Sequence, residues 1–316
     1  AFSFAWKQEK IRNIASYILN VHVDSIYYVN FADCSPVAGR CNAREYLFGK
    51  RTDNRALMEF AASDYQNSED PLTLDEHNLF YRLQTVFSHE EMMESDRNPV
   101  IAHKDLYYES VGLFIARGSR LCLAVKGGDN DDSHNHNDVG SFTIYKDGKP
   151  LFIDAGVETY TKKTFSPDRY DIWTMQSRYH NLPSFTDHGR ETVQQDGGRY
   201  RAEDVRYELG EDVCRISMDI AKAYPDDRIR SYTRSAVLDK EKSITIRDHY
   251  EGDGGTAVLS LMFCEKPSIH QNTIRIGDLG ICTVEGACSI TSEEIPVTDE
   301  RLKTAWKHSL YRCLVT

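Results

Sequence analysis

The chain has 316 residues, 40% hydrophobic and 11% aromatic, which is ample for packed cores and excludes a disordered chain. That length fits two domains or one large β domain. A formal charge of −11 argues against general nucleic-acid binding, which needs a basic face, but leaves room for a local basic cleft holding an acidic ligand.

The chain opens Ala1-Phe2-Ser3-Phe4, with no initiator Met and no signal peptide, as a processed or truncated chain would. A targeting segment could have been lost. Trp6, Ile11, Ile14, Tyr17 and Ile18 recur at three- and four-residue steps and predict a helix over residues 6–20. Residues 33–50, rich in Gly, Pro, Cys and Arg, read as irregular. A second helix is expected from Asn54 to Tyr65, with Asn54 as its cap. A third is expected from near Thr73, where Leu74-Asp75-Glu76-His77 precedes an apolar face of Leu79, Phe80, Leu83 and Phe87. The character changes near Arg97-Asn98-Pro99, giving a helical segment over 1–98 and a β domain over 99–316. Short apolar or alternating runs follow at 111–116, 121–125, 141–145, 151–153, 214–220, 243–247, 257–263, 273–276, 280–284 and 311–315. Turns such as Lys146-Asp147-Gly148-Lys149 and Gly252-Asp253-Gly254-Gly255 separate them. The expected fold class is therefore α+β: a short all-α segment, then a large antiparallel β-sandwich. No repeat or low-complexity tract is visible, and no apolar run reaches the length of a membrane span. The eight cysteines lack CxxC spacing and read as buried, reduced thiols.

The chemistry concentrates in Ser133-His134-Asn135-His136-Asn137-Asp138-Val139-Gly140-Ser141-Phe142. Downstream lie Asp154, ending the apolar run Leu151-Phe152-Ile153, and the pair His180-Asn181. Zinc takes imidazole nitrogen and carboxylate oxygen and usually has four ligands, so His136, Asp154 and His180 are candidates. On a strand, His134 and His136 would share a face and could both ligate. In the Gly- and Asp-rich loop that leads up to them they could equally divide the work. Tyr160, Tyr170 and Tyr179 fall in the same window, and a tyrosine with a tuned pKa can act as acid or base. A lone tyrosine more often packs its ring and wets its hydroxyl. Arg169, Arg178, Arg190, Arg199 and Arg201 follow the histidines. Solvated surface is the ordinary role for each, while Arg169 and Arg178 could pair with a carboxylate or sulfate. A triad built on Ser177 and His180 has no nucleophile-elbow motif behind it.

The runs His134–Phe142, Phe152-Ile153-Asp154-Ala155-Gly156 and Ser177-Arg178-Tyr179-His180-Asn181 resemble, in that order, the heparinase II/III-like polysaccharide lyases. Asn30-Phe31-Ala32-Asp33 and Phe48-Gly49-Lys50-Arg51-Thr52 resemble the end of that family's helical domain. The resemblance implies an (α/α) toroid followed by an antiparallel β-sandwich, and cleavage of an acidic polysaccharide such as heparan sulfate, heparin or alginate by β-elimination. It implies that His134 is the catalytic histidine of the β domain. It makes His136, Asp154 and His180 ligands of a mainly structural zinc, and Tyr160 and Tyr170 the candidate tyrosines of the cleft. It also implies that most of the toroid, with its own catalytic residues, precedes this sequence, so that the chain's partner is its own N-terminal toroid and the chain alone is inactive. Uronyl epimerisation, which shares the first proton abstraction, is an alternative. So is a non-catalytic, carbohydrate-binding β-sandwich with structural zinc. Family habit suggests export to the periplasm or beyond, whereas unpaired cysteines suggest a reducing compartment.

Overall fold

The computed structural model describes residues 4–73 and 78–316, and the expected helix start at 74–77 lies outside them. The chain divides into two compact units, one of Ala1–His22 and Ala38–Lys104, the other of Val23–Val37 and Asp105–Thr316.

The first unit carries α1 (Glu9–Val21), α2 (Ala43–Thr52), α3 (Arg55–Gln66) and α4 (Leu79–Met93). The first and third follow the apolar spacing, and the Asn54 side chain caps α3 by accepting from Leu57 N at 3.1 Å. Helix α2 replaces part of the segment expected to be irregular. Its start is a capping box: Asn42 Oδ1 accepts from Arg44 N at 3.0 Å, and Glu45 accepts from Asn42 N at 3.1 Å. Helix α4 starts at an Asn78 cap. Among the described residues nothing covers its apolar face: Leu79 is 70% and Phe87 78% exposed, and Phe80, Leu83 and Val86 are exposed with them.

The second unit is built of antiparallel sheets. One five-stranded sheet orders Leu106–Tyr108, Leu113–Arg117, Leu121–Lys126, Phe142–Lys146 and Lys149–Phe152. Another orders Arg190–Thr192, Pro183–Asp187, Thr256–Phe263, Leu310–Val315 and Ile290–Ile295. A four-stranded sheet runs Glu203–Leu209, Val213–Asp219, Ile229–Asp239 and Ser243–Gly252. Inward residues of all three, among them Phe114, Leu123, Phe142, Phe185, Ile216, Ala236, Leu261 and Phe263, share one core. Strand Val213–Asp219 shows the reason: Cys214, Ile216 and Met218 alternate inward between more exposed neighbours. The α+β class and the antiparallel sheets stand as expected.

Ile229–Asp239 is a strand that apolar alternation does not reveal, because its inward series Tyr232, Arg234, Ala236 and Leu238 contains a fully buried arginine. All eight cysteines are free thiols; Cys41, Cys122, Cys214 and Cys313 are buried, whereas Cys34 and Cys288 are exposed, contrary to expectation. Among the described residues no helix is long and apolar enough to cross a membrane.

Candidate active site and metal centre

Asp154 lies two residues beyond strand Lys149–Phe152. Its neighbours Ile153 and Ala155 are held in a small core with Met262, Leu302 and Trp306, and Trp306 Nε1 donates to Ala155 O at 2.9 Å. The carboxylate, pointing the other way along the extended chain, accepts from Gly156 N at 2.8 Å and lies 2.9 Å from His180 Nδ1. Gly156 has φ +76°, and a Cβ there would meet Cys34 O at 2.9 Å, so this turn needs glycine. His180 ends a run of short 3₁₀ turns from Lys163 to Tyr179. Burial pushes its pKa down, and the Asp154 charge and hydrogen bond more than offset this, so the net shift is upward.

His136, Asp154 and His180 are all buried, with candidate ligand atoms within 4.8 Å of one another. His136 Nδ1 is buried with no hydrogen-bond partner among the described residues. A buried imidazole nitrogen left free beside a carboxylate and a second imidazole is what a divalent cation requires, since its ligands must offer lone pairs. The donor set therefore fits a metal.

His134 does not lie on a strand. It sits in a turn with φ +62°, a left-handed conformation that is uncommon for residues other than glycine. The two histidines of the motif differ in exposure. The His134 side chain is 59% exposed, whereas that of His136 is fully buried. Both nevertheless reach Asp33, a residue that sequence reasoning did not single out. Asp33 Oδ2 lies 3.0 Å from His134 Nδ1 and accepts from Tyr160 OH at 2.8 Å. Asp33 Oδ1 lies 3.0 Å from His136 Nε2 and accepts from Arg169 Nη2 at 2.8 Å. Burial alone would raise the Asp33 pKa; the bonds from His136, Arg169 and Tyr160 outweigh it and hold the carboxyl well below the usual carboxylate range. The Tyr160 ring stacks on His134 at 6.2 Å between centroids, and Arg301 covers the tyrosine at 4.6 Å. Burial, then the Asp33 bond and charge, push the Tyr160 pKa up.

The remaining sequence candidates lie around this centre. Tyr170 OH accepts from Asn135 Nδ2 at 3.0 Å, and burial raises its pKa. Arg169 is largely enclosed, its donors taken by Asp33, Asn135 O and Thr164 O. Arg178 is partly exposed, pairs with Glu191 at 2.9 Å, and lines a groove of about 260 Å³ with Tyr170, Asn137 and Gln195.

Three buried residues hold these loops in place. Asn181 Nδ2 donates to Phe142 O at 2.6 Å and Ile153 O at 3.1 Å, and its Oδ1 accepts from Met262 N at 2.7 Å. Gln194 clamps the motif at Val139, accepting from its N–H at 3.1 Å and donating to its carbonyl at 2.7 Å. Arg234 Nη1 donates to Gly140 O at 2.8 Å and Asn181 O at 2.6 Å, while its other donors grip Asp248.

The site thus joins a buried His–Asp–His centre to an exposed histidine on an antiparallel framework. Residues 103–292 match the family described as heparinase II/III-like, C-terminal, over more than half of the sequence. The chain belongs to that family. Among solved structures it is similar to a heparan sulfate lyase HepC mutant from Pedobacter heparinus, with TM-score 0.65 and 13% identity over 96% of this chain and 44% of that one. A heparinase III gene product gives TM-score 0.54 and 14% identity over 96% and 52% of the two chains. At such identities the likeness is one of fold. The chain spans about half the length of these structures. No curated protein matches it.

Proposed function

We propose that this chain is part of a lyase that cleaves a uronic-acid-containing acidic polysaccharide, heparan-sulfate-like or alginate-like, by β-elimination. The observation that carries the reading is His134, an exposed imidazole on a left-handed backbone, anchored to a buried carboxylate within a fold shared with lyases. In the reaction a base takes the C5 proton, the C4–O bond breaks with its electron pair leaving on the glycosidic oxygen, and a C4=C5 double bond forms. An acid then protonates the departing oxygen. His134 Nε2 serves as base or neutralises the uronate charge. Tyr160 and Tyr170 are the candidates for the acid, each through its hydroxyl proton. Arg178 binds a substrate carboxylate or sulfate beside the groove, and Arg169 contributes by holding Asp33 and Asn135.

His136, Asp154 and His180 would hold zinc, which supplies a fixed geometry to the loops rather than reaction chemistry. Elemental analysis of freshly purified protein is expected to find about one zinc per chain. His180→Ala is expected to bring this near zero and to lower the unfolding midpoint; wild-type protein free of zinc without chelator treatment would count against the assignment.

Residues 1–98, apart from the 23–37 segment, are read as the end of an (α/α) toroid, and residues 99–316 as its β-sandwich partner. The open apolar face of α4 supports a preceding helical segment as its cover. Phe87→Glu is expected to reduce hydrophobic-dye binding by the 316-residue chain at unchanged stability. In a longer protein containing the preceding helices it should cost about 1.5–3 kcal/mol. Equal stability effects in both would remove this support.

The function is tested by incubating the longer protein with heparan sulfate and with alginate and following ultraviolet absorbance of the unsaturated uronate. Altered uronate stereochemistry without absorbance would mean epimerisation. Retention of glycan with neither would mean a binding module.

A further inference from the structure

We infer that Asp33 is a positioning residue that sets the two motif histidines in opposite tautomers, and thereby gives them opposite tasks. An ionised carboxylate offers about four lone-pair sites and no proton. Asp33 uses all four: Oδ1 faces His136 Nε2 and Arg169 Nη2, and Oδ2 faces His134 Nδ1 and Tyr160 OH. Each imidazole must therefore present an N–H to it. For His134 that hydrogen is on Nδ1, which leaves the Nε2 lone pair free on an exposed ring. For His136 it is on Nε2, which leaves the lone pair on Nδ1, a buried atom with no hydrogen-bond partner among the described residues. The first arrangement makes a base; the second makes a metal ligand backed by a carboxylate, as ligating histidines commonly are.

The Tyr160 hydroxyl is also 3.1 Å from His134 Nδ1 and competes as the group that sets its tautomer. The carboxylate decides between them. With Tyr160 OH donating to Asp33 Oδ2, its hydrogen is committed there, and His134 Nδ1 is left to donate to the same oxygen. Neighbouring acceptors are then used and no donor is stranded.

The catalytic consequence rests on the lyase reading, but the tautomer assignment does not. Long-range proton–nitrogen correlation spectra of the ¹⁵N-labelled chain read the tautomers directly. His134 is identified by the signals lost in His134→Gln. The expected result is a protonated Nδ1 and bare Nε2 for His134, and the reverse for His136. The same tautomer on both rings, in the wild-type chain, would overturn the inference whatever any variant does. Asp33→Asn, of equal size, is expected to move His134 to the Nε2–H form, whereas Tyr160→Phe leaves it unchanged. A flip in Tyr160→Phe but not in Asp33→Asn would assign the role to the tyrosine. In the longer protein Asp33→Asn is expected to lower kcat at least about 10²-fold with little change in KM. An unchanged kcat would sink the catalytic half. If no polysaccharide is cleaved by the wild type, the lyase reading fails while the spectra still decide the role of Asp33.

Discussion

His134→Ala in the longer protein is expected to lower the rate of unsaturated-uronate release by roughly 10²–10⁴-fold, the range for a lost general acid or base. The loss should come without loss of zinc or fold. The His134 side chain is 59% exposed and its hydrogen bonds go to Asp33 and Tyr160. Removing it leaves Asp33 with His136, Arg169 and Tyr160, so no buried charge is orphaned. The backbone adds a second term. At φ +62° alanine is disfavoured by about 1 kcal/mol, whereas asparagine tolerates that conformation. His134→Asn should therefore match His134→Ala in lost turnover and exceed it in stability. Absorbance rising at the wild-type rate in both variants would end the assignment of His134. The contrast with His180→Ala is diagnostic, because that change removes a buried group bonded to Asp154 and should lower zinc content and stability together.

What was legible in the sequence follows from how locally each feature is encoded. Helices α1 and α3 announce themselves by apolar period and cap. Strands such as Thr256–Phe263 and Leu310–Val315 do so by continuous or alternating apolar runs. His136, Asp154 and His180 were found because their neighbours form recognisable runs, and the fold does bring them together. Asp33 was hidden because its partners lie 101 and 103 residues further along the chain, and nothing local marks Asn30–Asp33 as part of the sheet unit. The partition of His134 from His136 was equally invisible to spacing, since spacing does not say which ring is exposed and which is buried. Helix α2 had a readable signal in Asn42 and Glu45, masked by the Gly- and Arg-rich composition around it.

Arg234 was hidden for a different reason: it breaks the alternation of its strand, and it carries the second large expected effect. Asp248→Ala should destabilise the protein by about 3 kcal/mol, at the low end for breaking a buried ion pair because Asp248 keeps some contact with solvent. The variant leaves a fully buried guanidinium with its bidentate acceptor gone and Tyr232 OH without its partner at 2.7 Å. Replacing a buried pair by apolar residues is often neutral, which suggests Arg234→Met/Asp248→Leu as a rescue. Here it should fail in part. Gly140 O and Asn181 O would lose their donor, at about 1–3 kcal/mol for each buried group left unsatisfied. Those two carbonyls lie in the runs that carry His136 and His180, so the double variant should also retain less zinc than the wild type. Urea unfolding midpoints and metal analysis on the three proteins check both expectations. Full recovery of stability and zinc in the double variant would mean that Arg234 only fills space; partial recovery would mean that its hydrogen bonds tie the sheet core to the metal centre.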